Sequence, residues 1–169
     1  MERNAGVRSS ETGAASAMDL VRDAYGAFAR RDRETLRALC HDSLEFRPVD
    51  ALGLLGEAMH GFDTACAWVA RRENLGYAAS MWLRTLEDVG PDHVLGVGVV
   101  SERGRTGHGY AATVAWIWRV RDGRIDCVHG YTSEAAARRA LNGSAWPCAA
   151  ARARARGCGP TPRRPPHGA

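Results

Sequence analysis

The stretch RGRTGHGYAATVAWIWRVRDGRIDCVHGYTSEAAARRAL, Arg103 to Leu141, decides the fold. In its middle, Asp122-Gly123 predicts a two-residue hairpin, because both central positions of such a turn favour a positive φ. The turn joins a long strand over residues 109–121 to a second strand over residues 124–132. Ser133 then predicts the N-cap of a helix that is rich in Ala and Arg. An antiparallel strand pair followed by a short helix therefore closes the domain.

Upstream of this stretch, the pattern predicts three helices and three further strands. Apolar residues at helical spacing predict helices over 17–31, 33–40 and 62–74. A short alternating strand, 44–47, lies between the second and third helices, and two long strands occupy 78–87 and 93–102. Helices and antiparallel strands that are segregated along the chain predict an α+β fold. The expected architecture is three N-terminal helices packed in a strongly curved, mostly antiparallel sheet, with a short C-terminal helix and a pocket in the hollow of the curl.

Composition sets the limits of the domain. The chain has 169 residues and no lysine, and its net charge is +4. Five arginines and no acid fall in residues 142–169. This composition predicts a disordered basic tail that follows a nearly neutral domain. We expect residues 1–16 to be a disordered lead-in without a signal sequence, and the protein to be cytoplasmic, with no membrane partner. No specific nucleic acid is expected, although the tail could bind acidic partners weakly.

The five cysteines are widely spaced, and no CxxC pair occurs. They predict neither a disulfide framework nor a zinc ribbon, and we expect Cys40, Cys66 and Cys127 to be small buried thiols. No pair of histidines has metal-ligand spacing with a carboxylate, so no metal is predicted.

Three stretches carry a resemblance to a known family. YGAFARRDRETLRALCHDSLEFRP (25–48), HGFDTACAWV (60–69) and the closing stretch that begins at Arg103 resemble SnoaL-like proteins of the nuclear-transport-factor-two-like superfamily. The resemblance covers about residues 17–141 and implies a cone-shaped α+β barrel. Relatives include polyketide cyclases, ketosteroid isomerases, epoxide hydrolases and non-enzymatic binders, so fold alone is a weak guide to function.

The catalytic carboxylates that the resemblance implies are missing. Where SnoaL-type cyclases have an Asp after the last strand, this chain has Thr132-Ser133. The base Asp of ketosteroid isomerases corresponds to Pro48, and their protonated Asp to Trp116. The nearest counterpart here of the Asp-Arg-Asp group of the epoxide hydrolases is Arg84 with Glu87. Whether the protein is an enzyme therefore stays open at this point.

Candidate substrate-binding residues are mostly aromatic. Trp116 and Trp118 share one face of the long strand with Tyr110, and the resemblance to ketosteroid isomerases directs that face into the cone. Tyr25, on helix 1, could offer its hydroxyl to the cavity, and His60 could approach its mouth. Simple core packing is the alternative for the Trp and Tyr side chains.

Candidate catalytic residues lie on the first and last strands. On the last strand, Asp126 alternates with His129 and Tyr131, and only one of these two sets can face inward. Asp126 would be a base in one case, and His129 with Tyr131 an acid-base pair in the other, which we prefer. Arg47 alternates with Glu45 at the expected pocket mouth and would suit an enolate, carboxylate or phenolate.

Three functions fit these residues. The first is a small-molecule isomerase, cyclase or hydrolase that uses acid-base chemistry, without a cofactor, on a hydrophobic, polycyclic or enolisable substrate. The second is a non-catalytic domain that binds such a molecule. The third is a protein-interaction domain, a homodimer through the open face of the sheet, to which Ala115 and Ile117 would contribute.

Overall fold

The computed structural model describes residues 16–50, 52, 54–75, 78–104 and 107–143. The predicted lead-in and tail lie outside the described residues, except for Ser16 and for residues 142 and 143. Ser16 belongs to the domain because its side chain accepts a hydrogen bond from the backbone N–H of Asp19 and so caps the first helix.

The described residues contain four helices. They are α1 (Ala17–Ala29), α2 (Arg33–Leu39), α3 (Phe62–Asn74) and α4 (Glu134–Asn142). Asp32 caps α2 through the N–H of Thr35, and Ser133 caps α4 through that of Ala136. None of these helices is both long and apolar enough to cross a membrane.

Six strands form one curved sheet. They are β1 (Cys40–Arg47), β2 (Met59–His60), β3 (Ala78–Gly90), β4 (His93–Arg103), β5 (Gly109–Arg121) and β6 (Arg124–Tyr131). Their order is β2-β1-β6-β5-β4-β3, and every pair is antiparallel except β1 with β6. The predicted α+β fold is confirmed, but the sheet does not close, because β2 and β3 remain at its two edges.

The bounds of three strands differ most from the prediction. β1 begins four residues before the predicted start, β3 ends three residues after the predicted end, and β2 lies between residues 48 and 61, where no strand is predicted. β2 has just two residues, which pair with β1 as Glu45–His60 and Phe46–Met59. So short a strand carries no periodicity that a sequence pattern could detect.

The two faces of the sheet are covered differently. The inner face packs on the helices around a core that includes Val21, Leu44, Phe62, Trp116 and Trp118. The outer face packs beneath α4, whose residue Ala137 is fully buried against the sheet.

Ala115 and Ile117 lie beneath α4. They are on the outer face, as expected, but their exposed fraction is 0%. The expectation that these two residues contribute to a dimer interface is therefore wrong, because α4 of the same chain already covers them.

Candidate functional site

The pairing of β1 with β6 brings together polar residues that are far apart in the sequence. Arg47 pairs with His129, and Glu45 pairs with Cys127. His129 in turn lies opposite Ile117 on β5. Because paired residues point to the same side of a sheet, Glu45, Arg47 and His129 share the outer face with Ile117.

Glu45 and His129 form a buried dyad. Nε2 of His129 lies 2.7 Å from Oε1 of Glu45, and the exposed fractions of the two residues are 0% and 8%. Burial lowers the pKa of His129 from its ordinary value, and the nearby Glu45 carboxylate partly offsets this effect. The imidazole is therefore neutral near pH 7. In the tautomer whose Nε2–H donates to the carboxylate, the lone pair of the ring lies on Nδ1, which is itself buried.

Tyr131 and Arg47 flank the dyad. The hydroxyl of Tyr131 is buried and has no hydrogen-bond partner among the described residues. Burial raises the pKa of Tyr131, against a smaller opposing effect of Arg47, so the phenol stays protonated and can donate. Arg47 is half-buried, and within the described part of the chain no carboxylate lies within 4.0 Å of its guanidinium.

The dyad borders a cleft with a volume of about 400 Å³, which is within the range of small-molecule sites. It is lined by Arg47, Leu55, Gly56, Glu57, Ala58 and His129. The segment that forms its second wall is held by a bridge between Val49 and Leu55 and by a 2.9 Å hydrogen bond from Gly56 N to Pro48 O.

Asp126 has a different environment. Its carboxylate accepts hydrogen bonds of 2.7 and 2.8 Å from Arg119, and Arg121 lies 3.2 Å away. Two guanidinium groups thus compete with a substrate for these oxygens. This arrangement favours a structural ion pair over a catalytic base.

The aromatic candidates lie on the other face. Trp116 and Trp118 are each 5% exposed within the inner core, with ring centroids 6.1 Å apart, and neither lines the cleft. The hydroxyl of Tyr25 donates to Met81 O at 2.6 Å and accepts from Leu83 N at 3.3 Å, so it fastens α1 to the edge strand β3.

The remaining two candidates are exposed. Tyr110 is 55% exposed on β5, and His60 is exposed on β2. The structure thus brings His129, Tyr131 and Arg47 together on the outer face and separates them from the aromatic set. The expectation that only one of Glu45 and Arg47 faces inward is wrong, because residues two apart on a strand share a face and both lie on the outer one. The contact between the side chains of Glu45 and His129 was not predicted.

One group of side chains has metal-ligand chemistry. Ligand atoms of Glu45, Cys127 and His129 lie within 4.8 Å of one another. Cys127 is disulfide-bonded, so it cannot supply a thiolate, and we propose no metal here. The expectation of a buried thiol is therefore wrong for Cys127. Cys40 is a free, buried thiol whose pKa is raised by burial to about 12, and Cys66 is free and partly buried.

Comparison with known proteins agrees with this fold. A solved nuclear-transport-factor-two-like protein from Burkholderia thailandensis is 27% identical, with a TM-score of 0.60 over 75% of this chain and 98% of that one. A candidate polyketide cyclase from Pseudomonas putida is 16% identical, with a TM-score of 0.56 over 72% and 95%. An epoxide hydrolase from Mycobacterium tuberculosis is 17% identical, with a TM-score of 0.55 over 75% and 84%. The last two likenesses concern the fold alone.

These relatives define the class as nuclear-transport-factor-two-like α+β proteins. Within that class, residues 21–128 match the model of the SnoaL-like domain, and the chain belongs to this family. Among curated protein sequences, none matches the chain.

Proposed function

We propose that this protein is a small-molecule enzyme that carries out acid-base chemistry at the cleft beside Glu45 and His129. The observation that carries the proposal is the buried 2.7 Å contact between these two side chains at the wall of a cleft of about 400 Å³. A neutral histidine oriented by a carboxylate is a common general base. The small-molecule enzymes among proteins of this fold support a role of this kind.

The proposed reaction is proton transfer next to a carbonyl group. Nδ1 of His129 takes a proton from carbon, and Glu45 stabilises the imidazolium that results. Arg47 and the Tyr131 hydroxyl stabilise the negative charge that develops on the carbonyl oxygen. Return of the proton to another carbon gives isomerisation, and attack of the enolate on a second carbonyl gives ring closure. The substrate class is hydrophobic and enolisable.

Deuterium exchange tests this proposal without knowledge of the natural substrate. Cyclic ketones and aryl ketones, whose protons next to the carbonyl exchange slowly in neutral D₂O without a catalyst, are incubated with the protein in D₂O. Loss of the signal of these protons is followed by NMR. General-base catalysis contributes about 100-fold or more to rate, so His129→Gln should lose at least that factor. His60→Gln, a change at an exposed histidine outside the cleft lining, is the control. Equal exchange by the wild type and the His129 variant would contradict the proposal.

A dimeric protein-interaction domain is a second candidate function, and one exposed aromatic residue favours it. Met81 and Leu83 pack on the inner core, so Trp82 between them lies on the outer face of β3, opposite Val99. Trp82 is 54% exposed. Tryptophan is enriched in protein–protein interfaces relative to the rest of the protein surface.

Light scattering tests the dimer. The wild type should have twice the 18.3 kDa monomer mass, and Trp82→Arg should have the monomer mass. Leu75→Arg, at a residue with the same 54% exposure at the end of α3, is the control and should stay dimeric. A monomeric wild type would exclude this candidate.

A further inference from the structure

We infer that the cleft beside His129 selects a hydrophobic carboxylate, a molecule with one negative charge and an apolar body. This inference rests on the site of the proposed function, and it adds the charge and polarity of the ligand. It follows from three observations: the guanidinium of Arg47 at the cleft, the buried hydroxyl of Tyr131 on the same face of the sheet, and the exposed leucines of the loop that forms the other wall of the cleft.

The charge requirement comes from Arg47. Its guanidinium lines the cleft, and in the described part of the chain no carboxylate lies within 4.0 Å of it. Glu45, the nearest acid along its own strand, is engaged by His129. Glu57 also lines the cleft, but its side chain is exposed and therefore well hydrated. A half-buried guanidinium is stabilised most by a carboxylate, whose two oxygens match its planar fork.

Two other cations of this face are already paired, because Arg119 and Arg121 both contact Asp126. Arg47 differs from these two arginines, since no carboxylate of the described residues lies within 4.0 Å of its guanidinium.

A second, independent observation is the Tyr131 hydroxyl. It is buried, and no described residue accepts or donates a hydrogen bond to it. Burial without a partner is unfavourable for a polar group, and a ligand oxygen that accepts a hydrogen bond from the phenol would remove this cost. Arg47 and Tyr131 influence each other electrostatically, which places the phenol in the field of the same guanidinium.

The apolar requirement comes from the loop before β2. Leu52, Leu54 and Leu55 are 57%, 60% and 41% exposed, and Leu55 and Ala58 line the cleft. Asp50 fixes this loop, since its Oδ1 accepts hydrogen bonds from Leu52 N at 2.9 Å and Leu54 N at 2.8 Å. Adjacent exposed leucines beside a cation fit a ligand whose charged end meets Arg47 and whose body covers the leucines.

Calorimetric titration with three probes tests the inference. 1-Naphthoate has the charge and the apolar body, 1-naphthamide has the body alone, and acetate has the charge alone. We expect naphthoate to bind at least about ten-fold more tightly than either of the others, since one charge-assisted hydrogen bond contributes about 1.5–3 kcal/mol. Naphthoate and naphthamide binding equally, or naphthoate not binding, would overturn the inference.

Variants assign the two requirements to residues. Arg47→Gln should weaken naphthoate by about ten-fold or more and leave naphthamide unchanged. Leu55→Ser should weaken both. Arg124→Gln, at the exposed first residue of β6, is the control. Thermal unfolding of each variant checks the fold. If Arg47→Gln is unfolded, Arg47→Lys, which keeps the charge, is measured in its place. Unchanged naphthoate affinity in Arg47→Gln would overturn the inference.

Binding and deuterium exchange separate this inference from the proposed function. If naphthoate binds through Arg47 and no probe exchanges, the inference holds and the enzymatic proposal fails. If neutral ketones exchange through His129 and naphthoate shows no preference over naphthamide, the enzymatic proposal holds and the inference fails.

Discussion

Nε2 of His129 lies 2.7 Å from Oε1 of Glu45, although 84 residues separate the two in the sequence. The contact crosses the parallel pair β1–β6, in which Glu45 is matched with Cys127 and Arg47 with His129. Both side chains are buried, so each satisfies a polar group that would otherwise be desolvated without a partner. The dyad therefore contributes to stability as well as to the proposed chemistry.

A double-mutant cycle measures this contribution. Glu45→Gln and His129→Gln should each lower the free energy of unfolding, and the double variant should lose less than the sum. We expect a coupling energy of about 1–3 kcal/mol in urea denaturation, as is typical of contacting polar residues. Additive losses would show that the two side chains do not interact.

Stability should depend on pH through His129. Because burial lowers the pKa of His129, the unfolded chain takes up a proton as the pH falls through about 6.5 while the folded chain does not. The free energy of unfolding should therefore decrease from pH 7.5 to pH 5.5, and this decrease should be smaller in His129→Gln.

His93 is a second histidine that contributes to this pH dependence. Burial also lowers the pKa of His93, with Arg119 as a smaller cause, so it contributes in the same direction. The double variant His93→Gln/His129→Gln should have the flattest profile over this range. A His129→Gln profile with the wild-type slope would contradict the expected titration.

Asp126 should be essential for stability. Its carboxylate is 2% exposed and contacts both Arg119 and Arg121, so Asp126→Asn leaves the charge of two partly buried guanidinium groups uncompensated. We expect a loss of about 3–5 kcal/mol in urea denaturation. Asp122→Asn, at a carboxylate that is 81% exposed and 3.8 Å from Arg121, should change stability by about 0.5 kcal/mol or less. Equal effects of the two substitutions would contradict this assignment.

Tyr25 should act through structure rather than through ligand binding. Tyr25→Phe removes the hydroxyl that bonds to Met81 O and Leu83 N, and should lower the free energy of unfolding by about 1–2 kcal/mol. Tyr110→Phe, at an exposed residue, should leave it unchanged. Calorimetric titration with 1-naphthoate should give the wild-type affinity for both variants. A weaker affinity in Tyr25→Phe alone would show that Tyr25 takes part in ligand binding.

Gly96 sets the packing of Trp118. A Cβ at Gly96 would lie 2.6 Å from Cζ3 of Trp118. A Cβ at Gly109 would meet no atom closer than Glu102 O, at 3.7 Å. Gly96→Ala should therefore cost about 1–3 kcal/mol through overpacking. Gly109→Ala should be neutral or slightly stabilising, and thermal unfolding compares the two. Equal midpoints would show that Trp118 can move aside freely.

Most elements of this fold could be predicted because their signals are local. Ser16, Asp32 and Ser133 each accept a hydrogen bond from an N–H three residues ahead, so a helix start is encoded within one turn. The hairpin at Asp122-Gly123 has positive φ at both residues, 51° and 73°, as the dipeptide predicts. The domain class follows from the order of such elements.

The candidate site depends on pairings that the sequence does not encode locally. The alternation of β6 defined two sets of side chains, but only the register with β5, which includes an irregularity between Arg119 and Val120, places His129 on the outer face opposite Ile117. Glu45, the partner of His129, lies on β1. The parallel pairing of β1 with β6 brings the two residues together although they are 84 residues apart in the sequence.

The sequence by itself therefore determined the helices, the strands and the family, because caps, turns and periodicity act over a few residues. Only the tertiary structure decided that Trp116 and Trp118 fill the inner core, that His129 meets Glu45 on the outer face and that Arg47 borders a cleft. Those outcomes depend on strand register and on which face each helix covers, and a shift of one residue would have exchanged the two faces.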